Sequence, residues 1–226
     1  MRRRLALCIL LAASGVSAQS ALSPEAAALI APVHEAYAKV ETQQAALPPA
    51  TSDREWLERL RDLDQVGRVA LDKIDLTHLP QDQRTLAETA LRAEIQAHDL
   101  ADQEALKKMI PPEGWFRKSV IGNKASTAAF LIVQHAVGDP DLMRATLPKI
   151  EAMVKQGEAD GGQYALLHDR IAVMFENKPQ RYGSQVQCIG GKASPGSLED
   201  PEHLDALRAS VGLPPEAEYL RRFPCN

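Results

Sequence analysis

Apolar residues recur at helical spacing along almost the whole chain, and prolines and turn residues mark the breaks. Ser23-Pro24-Glu25 reads as a helix start: a hydroxyl to cap, a proline in the first turn, then an acid. Ile30, Val33, Tyr37 and Val40 continue that helix, Pro32 predicts a kink, and Leu47-Pro48-Pro49-Ala50 ends it. Ser52 or Asp53 caps a second helix with an expected apolar stripe of Trp56, Leu60, Leu63 and Val66. The pairs Glu55–Arg59 and Glu58–Arg61 decorate its outer face. After a break at His78-Leu79-Pro80, a third helix runs over about 81–109 on Leu86, Ala90, Ile95 and Leu106, until Pro111-Pro112 stops it.

The second half of the chain is more apolar. Between about 123 and 137, Ala125, Ala128, Ala129, Phe130, Leu131, Ile132 and Val133 leave hardly a polar side, so this helix should be central. Asp139 or Asp141 caps the next helix, facing inward with Met143, Leu147, Ile150 and Val154. Another spans about 162–175, with Tyr164, Leu167, Ile171 and Met174 inward. Arg181 to Ile189 alternates and predicts a short strand. Two short helices, over about 201–211 and 215–222, complete the chain. The expectation is a mainly α, bundle-like domain with at most a short β-hairpin or extended segment near residues 176–190.

The N-terminus changes the picture of where such a domain works. Met1-Arg2-Arg3-Arg4 is a basic start, Leu5 to Gly15 an apolar stretch, and Val16-Ser17-Ala18 a small-residue cleavage site, which together read as a signal peptide over 1–18. The apolar run is too short for a membrane span, and no later run is longer, so no integral membrane segment is expected in the mature chain. The expected location is periplasmic or secreted. Loss of three arginines with the signal moves the formal charge from −4 to −7, an acidic balance that argues against nucleic acid as a partner. Cys188 and Cys225 then remain as an even pair in an oxidising compartment. They are expected to form one disulfide closing a glycine- and proline-rich loop onto the C-terminal tail.

The residues able to carry chemistry sit in the apolar half. Gln134-His135 closes the most hydrophobic helix, where an amide and an imidazole need partners if buried. Asp169-Arg170 lies within another amphipathic helix, and consecutive helical residues point about 100° apart. One arrangement turns Asp169 toward His135 and fixes its tautomer, while Arg170 holds an anion or the 180–185 segment. That would make His135 a general base. The competing arrangement is a salt-bridged core network without chemistry. Trp115, beside Gly114, and Tyr182, beside Gly183, would wall a pocket or plug the helix ends, and Gln185 would join Arg170 in binding an anion or carbonyl. No metal-ligand spacing, phosphate loop or dinucleotide fingerprint occurs, so neither metal nor cofactor is expected.

The ordered series Gly114-Trp115, Gln134-His135, Leu147-Pro148, Gly157-Glu158-Ala159, Tyr164-Ala165-Leu166-Leu167, Asp169-Arg170 and Gln180-Arg181-Tyr182-Gly183-Ser184-Gln185 resembles a bacterial domain family of unknown function. Glu199-Asp200-Pro201, Arg208, Val211-Gly212-Leu213 and Tyr219 resemble its C-terminal signature. The resemblance covers about residues 100–222 and implies a common fold without supplying a reaction. Phe116 and Ser184 depart from the proline and threonine frequent in that family. The division expected is an N-terminal helical layer over 19–97 and a family-like core over 98–226. Two functions remain open. One is a non-catalytic module binding a small molecule or a protein. The other is a hydrolase or transferase acting on a small-molecule or envelope-derived substrate, with His135 as base, Asp169 as its orienter and Gln134 nearby.

Overall fold

The computed structural model describes residues 21–112 and 114–225. The expected signal segment therefore lies outside the described residues. Helix α1 (Pro24–Ala45) begins where Ser23 Oγ accepts the Ala26 N–H at 3.1 Å, and α2 (Asp53–Leu71) where Ser52 plays the same part for Glu55. The two pack closely at Gly67, where an added Cβ would overlap the Tyr37 ring. Any side chain there would have to displace a buried tyrosine. Helix α3 (Gln81–Met109) is the longest, and its N-terminal half lies against α1 and α2 with Ala87 and Leu91 buried.

The second half forms around a buried helix. After the short α4 (Lys118–Ile121), α5 (Asn123–Gln134) buries Ala125, Ala128, Ala129, Phe130, Ile132 and Val133, as its sequence requires. Helices α6 (Pro140–Lys155) and α7 (Gly161–Phe175) cover it, capped by Asp139 and Asp160. Trp115, Phe116, Met143, Ile150 and Leu167 join α5 in the main core. Burying a side chain of this size stabilises by about 1.5–3 kcal/mol, so the core is dominated by the α5–α7 half.

A two-stranded antiparallel hairpin follows, β1 (Gln187–Ile189) with β2 (Lys192–Ser194), turned at Gly190-Gly191, both with positive φ. A 3-10 turn (Pro201–His203), α8 (Leu204–Ser210) and α9 (Glu216–Leu220) end the fold. The Cys188–Cys225 disulfide, with Cα atoms 5.6 Å apart, ties the hairpin to the tail. The fold is mainly α with one hairpin, and among the described residues no helix is long and apolar enough to cross a membrane.

Three local expectations are corrected. The buried row of α2 is Leu57, Leu60, Asp64 and Gly67, which shares Leu60 with the expected stripe and otherwise lies one position on from it, and Trp56 is 45% exposed. The strand starts only at Gln187, because Arg181, Tyr182 and Ser184 turn their N–H groups toward a side chain in α7 rather than toward a neighbouring strand. Met174, expected inward, is exposed at the end of α7.

Candidate functional site

His135 is the C-cap of α5, its backbone N–H bonded to the Leu131 carbonyl at 2.9 Å. Its ring Nδ1 lies 2.7 Å from Asp64 Oδ1. A carboxylate only accepts, so the neutral ring carries its proton on Nδ1 and presents the Nε2 lone pair elsewhere. Among the described residues nothing hydrogen-bonds Nε2. Asp64 is 1% exposed, on the buried row of α2. Gln65 Nε2 donates to its second oxygen at 2.6 Å, and Arg68 Nη1 stands 3.3 Å from the first. Burial pushes the Asp64 carboxyl up, but His135, Arg68 and Gln65 together outweigh it and hold the group below the ordinary carboxylate range.

Arg68 passes the network to α3, its Nη2 lying 2.9 Å from both oxygens of Asp99. Burial raises the Asp99 carboxyl even against that pull. One turn on, Asp102 is pushed up to about 8 by burial and by the charges of Asp64 and Asp99, with Arg68 opposing. Its carboxyl is therefore mostly protonated at neutral pH. Asp102 Oδ2 and the adjacent Gln103 Oε1 are buried without a partner among the described residues. Titratable groups shifted in this way, with spare polar atoms, concentrate at functional sites.

This cluster opens onto a cavity of about 660 Å³. Arg68 from α2, Asp99 and Gln103 from α3, His135 at the end of α5, and Arg170 from α7 contribute its polar wall. The volume falls within the range of small-molecule sites. Arg170 donates from Nη1 to the Gln134 carbonyl at 2.7 Å and from Nε to Gln185 Oε1 at 3.1 Å. Among the described residues no carboxylate pairs with it. Burial and the neighbouring Arg68 lower the Arg170 guanidinium from its ordinary value.

The arrangement in which Asp169 orients His135 is overturned. Asp169 Oδ1 accepts from the Arg181 N–H at 2.9 Å and the Tyr182 N–H at 3.2 Å, and Oδ2 from the Ser184 N–H at 2.9 Å. His168 Nδ1 adds a contact at 3.3 Å. Asp169 and Arg170 diverge as helical neighbours must, and it is Arg170 that faces the cavity. Tyr182 is buried edge-on against Tyr164 and His168. Trp115 is 1% exposed and packs edge-on against Phe116 in the main core. Neither of these aromatics lines the cavity.

Gln134 supplies a backbone oxygen to Arg170, while its side-chain Oε1 is buried without a partner among the described residues. Gln185 holds Arg170 with one end and the Leu166 carbonyl with the other, and so positions the guanidinium. It also borders a second cavity of about 400 Å³ beside Gln180 and Pro195. Among the described residues, no group of three or more His, Cys, Asp or Glu is placed to hold a metal ion.

Residues 76–224 match the family described as "Family of unknown function (DUF6624)". The chain belongs to this family. The DUF6624 segment takes in α3 and all that follows through α9, and so contains Asp99, Asp102, His135 and Arg170. Asp64 and Arg68 precede it, so the carboxylate that holds His135 comes from outside the DUF6624 segment. No curated protein and no solved structure matches the chain.

Sequence reasoning missed Asp64, Arg68, Asp99 and Asp102. A signal existed for Asp64 and Asp102. Asp64 stands four residues after Leu60 and three before Gly67, a position an apolar residue would normally fill. Asp102 and Gln103 stand four and three residues before Leu106 on the buried side of α3.

Proposed function

We propose that the chain is an exported helical enzyme that hydrolyses a small molecule in the cavity between α2, α3, α5 and α7, with His135 as general base and Asp64 as its orienting carboxylate. The observation carrying this is the 2.7 Å Asp64–His135 contact at the wall of a ligand-sized cavity. Among the described residues no hydroxyl or thiol is hydrogen-bonded to Nε2, so the nucleophile is a water from the cavity. His135 Nε2 takes the water proton as the oxygen attacks an acyl carbon, and Asp64 stabilises the imidazolium formed. Arg170 receives the negative charge that develops on the substrate oxygen. As the acyl bond breaks, the proton passes from His135 to the leaving group.

Export is supported by the pattern of residues 1–18 and by the disulfide, since disulfides persist in oxidising compartments. Mass spectrometry of the protein recovered from a cell envelope or culture medium should give Gln19 as the first residue. A cytosolic chain that keeps Met1 would contradict this.

Turnover is tested with a panel of small esters and amides. Hydrolysis should fall at least about a hundredfold in His135→Ala and in Asp64→Asn, general-base catalysis being worth about 10² to 10⁴. The second reading is a non-catalytic binding domain, favoured by the absence of a protein nucleophile beside Nε2. Saturable binding in the cavity with no turnover of any panel member would select it.

A further inference from the structure

The cavity has direction. Leu91, Ile95, Asp99 and Gln103 follow one another at four-residue intervals along α3 and all face it, a row about 18 Å long at 1.5 Å per residue. Its character changes midway. Leu91 and Ile95 pack with Leu76 and its neighbours in an apolar cluster at one end, whereas Asp99 and Gln103 meet Arg68, His135 and Arg170 at the other. Glu88, Arg92 and Gln96 border the cavity near the apolar end and Leu100 and Val137 near the polar end, all five from exposed positions.

Among the described residues, the polar end holds one cation with no carboxylate paired to it, Arg170. Arg68 is shared between Asp64 and Asp99, and Asp64 also serves His135. Asp102 is mostly protonated at neutral pH. Among the described residues Arg170 has only neutral oxygen partners, the Gln134 carbonyl and the Gln185 amide oxygen. A half-buried guanidinium with no carboxylate in direct contact is stabilised by an anion placed against it, and Arg170 is the cation of this wall that offers such a contact.

We infer that the cavity takes an apolar chain ending in a single carboxylate, the chain lying along Leu91 and Ile95 and the carboxylate on Arg170. This rests on the reading of the cavity as a ligand site. Under the hydrolytic reading, such a carboxylate is what an acyl ester or amide leaves when its acyl bond is cleaved beside His135. The substrate is then an apolar-chain acyl compound.

The test is isothermal titration calorimetry of the purified protein with decanoate, decan-1-ol and acetate, each below any self-association concentration. Decanoate should bind saturably, decan-1-ol at least tenfold more weakly, and acetate without saturation. Arg170→Gln should abolish the preference for decanoate over decan-1-ol, and Ile95→Asn should weaken both. Equal binding of decanoate and decan-1-ol by the unaltered protein would overturn the carboxylate assignment and leave the cavity reading intact. Acetate binding as tightly as decanoate would overturn the chain assignment. Binding of neither amphiphile would overturn the inference, while turnover of a polar ester under the same conditions would keep the hydrolytic reading. Saturable decanoate binding without turnover of any ester or amide would support the inference and sink the hydrolytic reading.

Discussion

Asp64 and Asp169 are both buried carboxylates on helices, both held below the ordinary range, and they are held by different things. Asp169 is held against burial by the neighbouring His168 ring and by backbone: the N–H groups of Arg181, Tyr182 and Ser184 wrap its two oxygens, and Arg208 clamps the same loop through the Tyr182 carbonyl at 2.6 Å. Asp64 is held by the side chains of Gln65, Arg68 and His135, and the last two line the cavity. A carboxylate saturated by backbone donors has no capacity left for a ligand. One that orients an imidazole toward open space does. The conspicuous Asp-Arg motif thus divides its labour, with Asp169 shaping the loop and Arg170 facing the cavity.

The largest effect should come from breaking the backbone-held member. Asp169→Ala strands three N–H groups in the interior and should destabilise the fold by about 3–5 kcal/mol in urea denaturation, with the 181–184 loop losing amide protection first. A cost under about 1 kcal/mol would show that the loop does not depend on this carboxylate.

The next effect has the opposite sign. The native Asp102 carboxyl is raised to about 8 from an ordinary 3.8, so the folded chain binds more protons than the unfolded chain between those values. Its contribution therefore declines as pH rises from about 4 through 8. Asp102→Asn, which mimics the protonated acid, should stabilise the protein at pH 9 by a few kcal/mol and change little at pH 4. For Asp64 and Asp169 the sign is reversed. Their carboxyls are depressed, so the stability they provide is complete above about pH 4 and is lost as pH falls through their native values. Thermal melting across pH 2–9 for Asp102→Asn, Asp64→Asn and Asp169→Asn reads all of this together.

Asp64→Asn should cost less stability than Asp169→Ala, about 1–3 kcal/mol, because cavity water can approach the partners it leaves. Its sharper consequence is local. The His135 ring should lose its fixed Nδ1–H tautomer, visible in long-range proton–nitrogen spectra. Retention of one tautomer in this variant would remove Asp64 from its orienting role.

The smallest effect marks the limit of reading the sequence. The helices, the central position of α5 and the hairpin follow from periodicity, caps and glycines, because those signals are local. The inward face of α2 was displaced by one residue, because Trp56 is the most hydrophobic candidate while the row actually buried contains Asp64 and Gly67. Trp56→Ala should change stability by less than about 1 kcal/mol, against about 2–5 kcal/mol for Leu57→Ala. The site was half legible for the same reason. His135 and Arg170 stand out as polar groups in apolar helices, yet the partner of His135 lies 71 residues away on a helix whose acids resemble ordinary surface charge. Periodicity reports which side of a helix is buried, but not which other helix meets it.

The most direct test of the account is the reactivity of His135 Nε2. Carbethoxylation by diethyl pyrocarbonate, followed by peptide mass spectrometry of the folded protein, should modify His135 despite its small exposure, and saturating decanoate should protect it. A His135 that reacts only after unfolding, while exposed His34 and His203 react at once, would contradict the claim that its free nitrogen faces a ligand cavity.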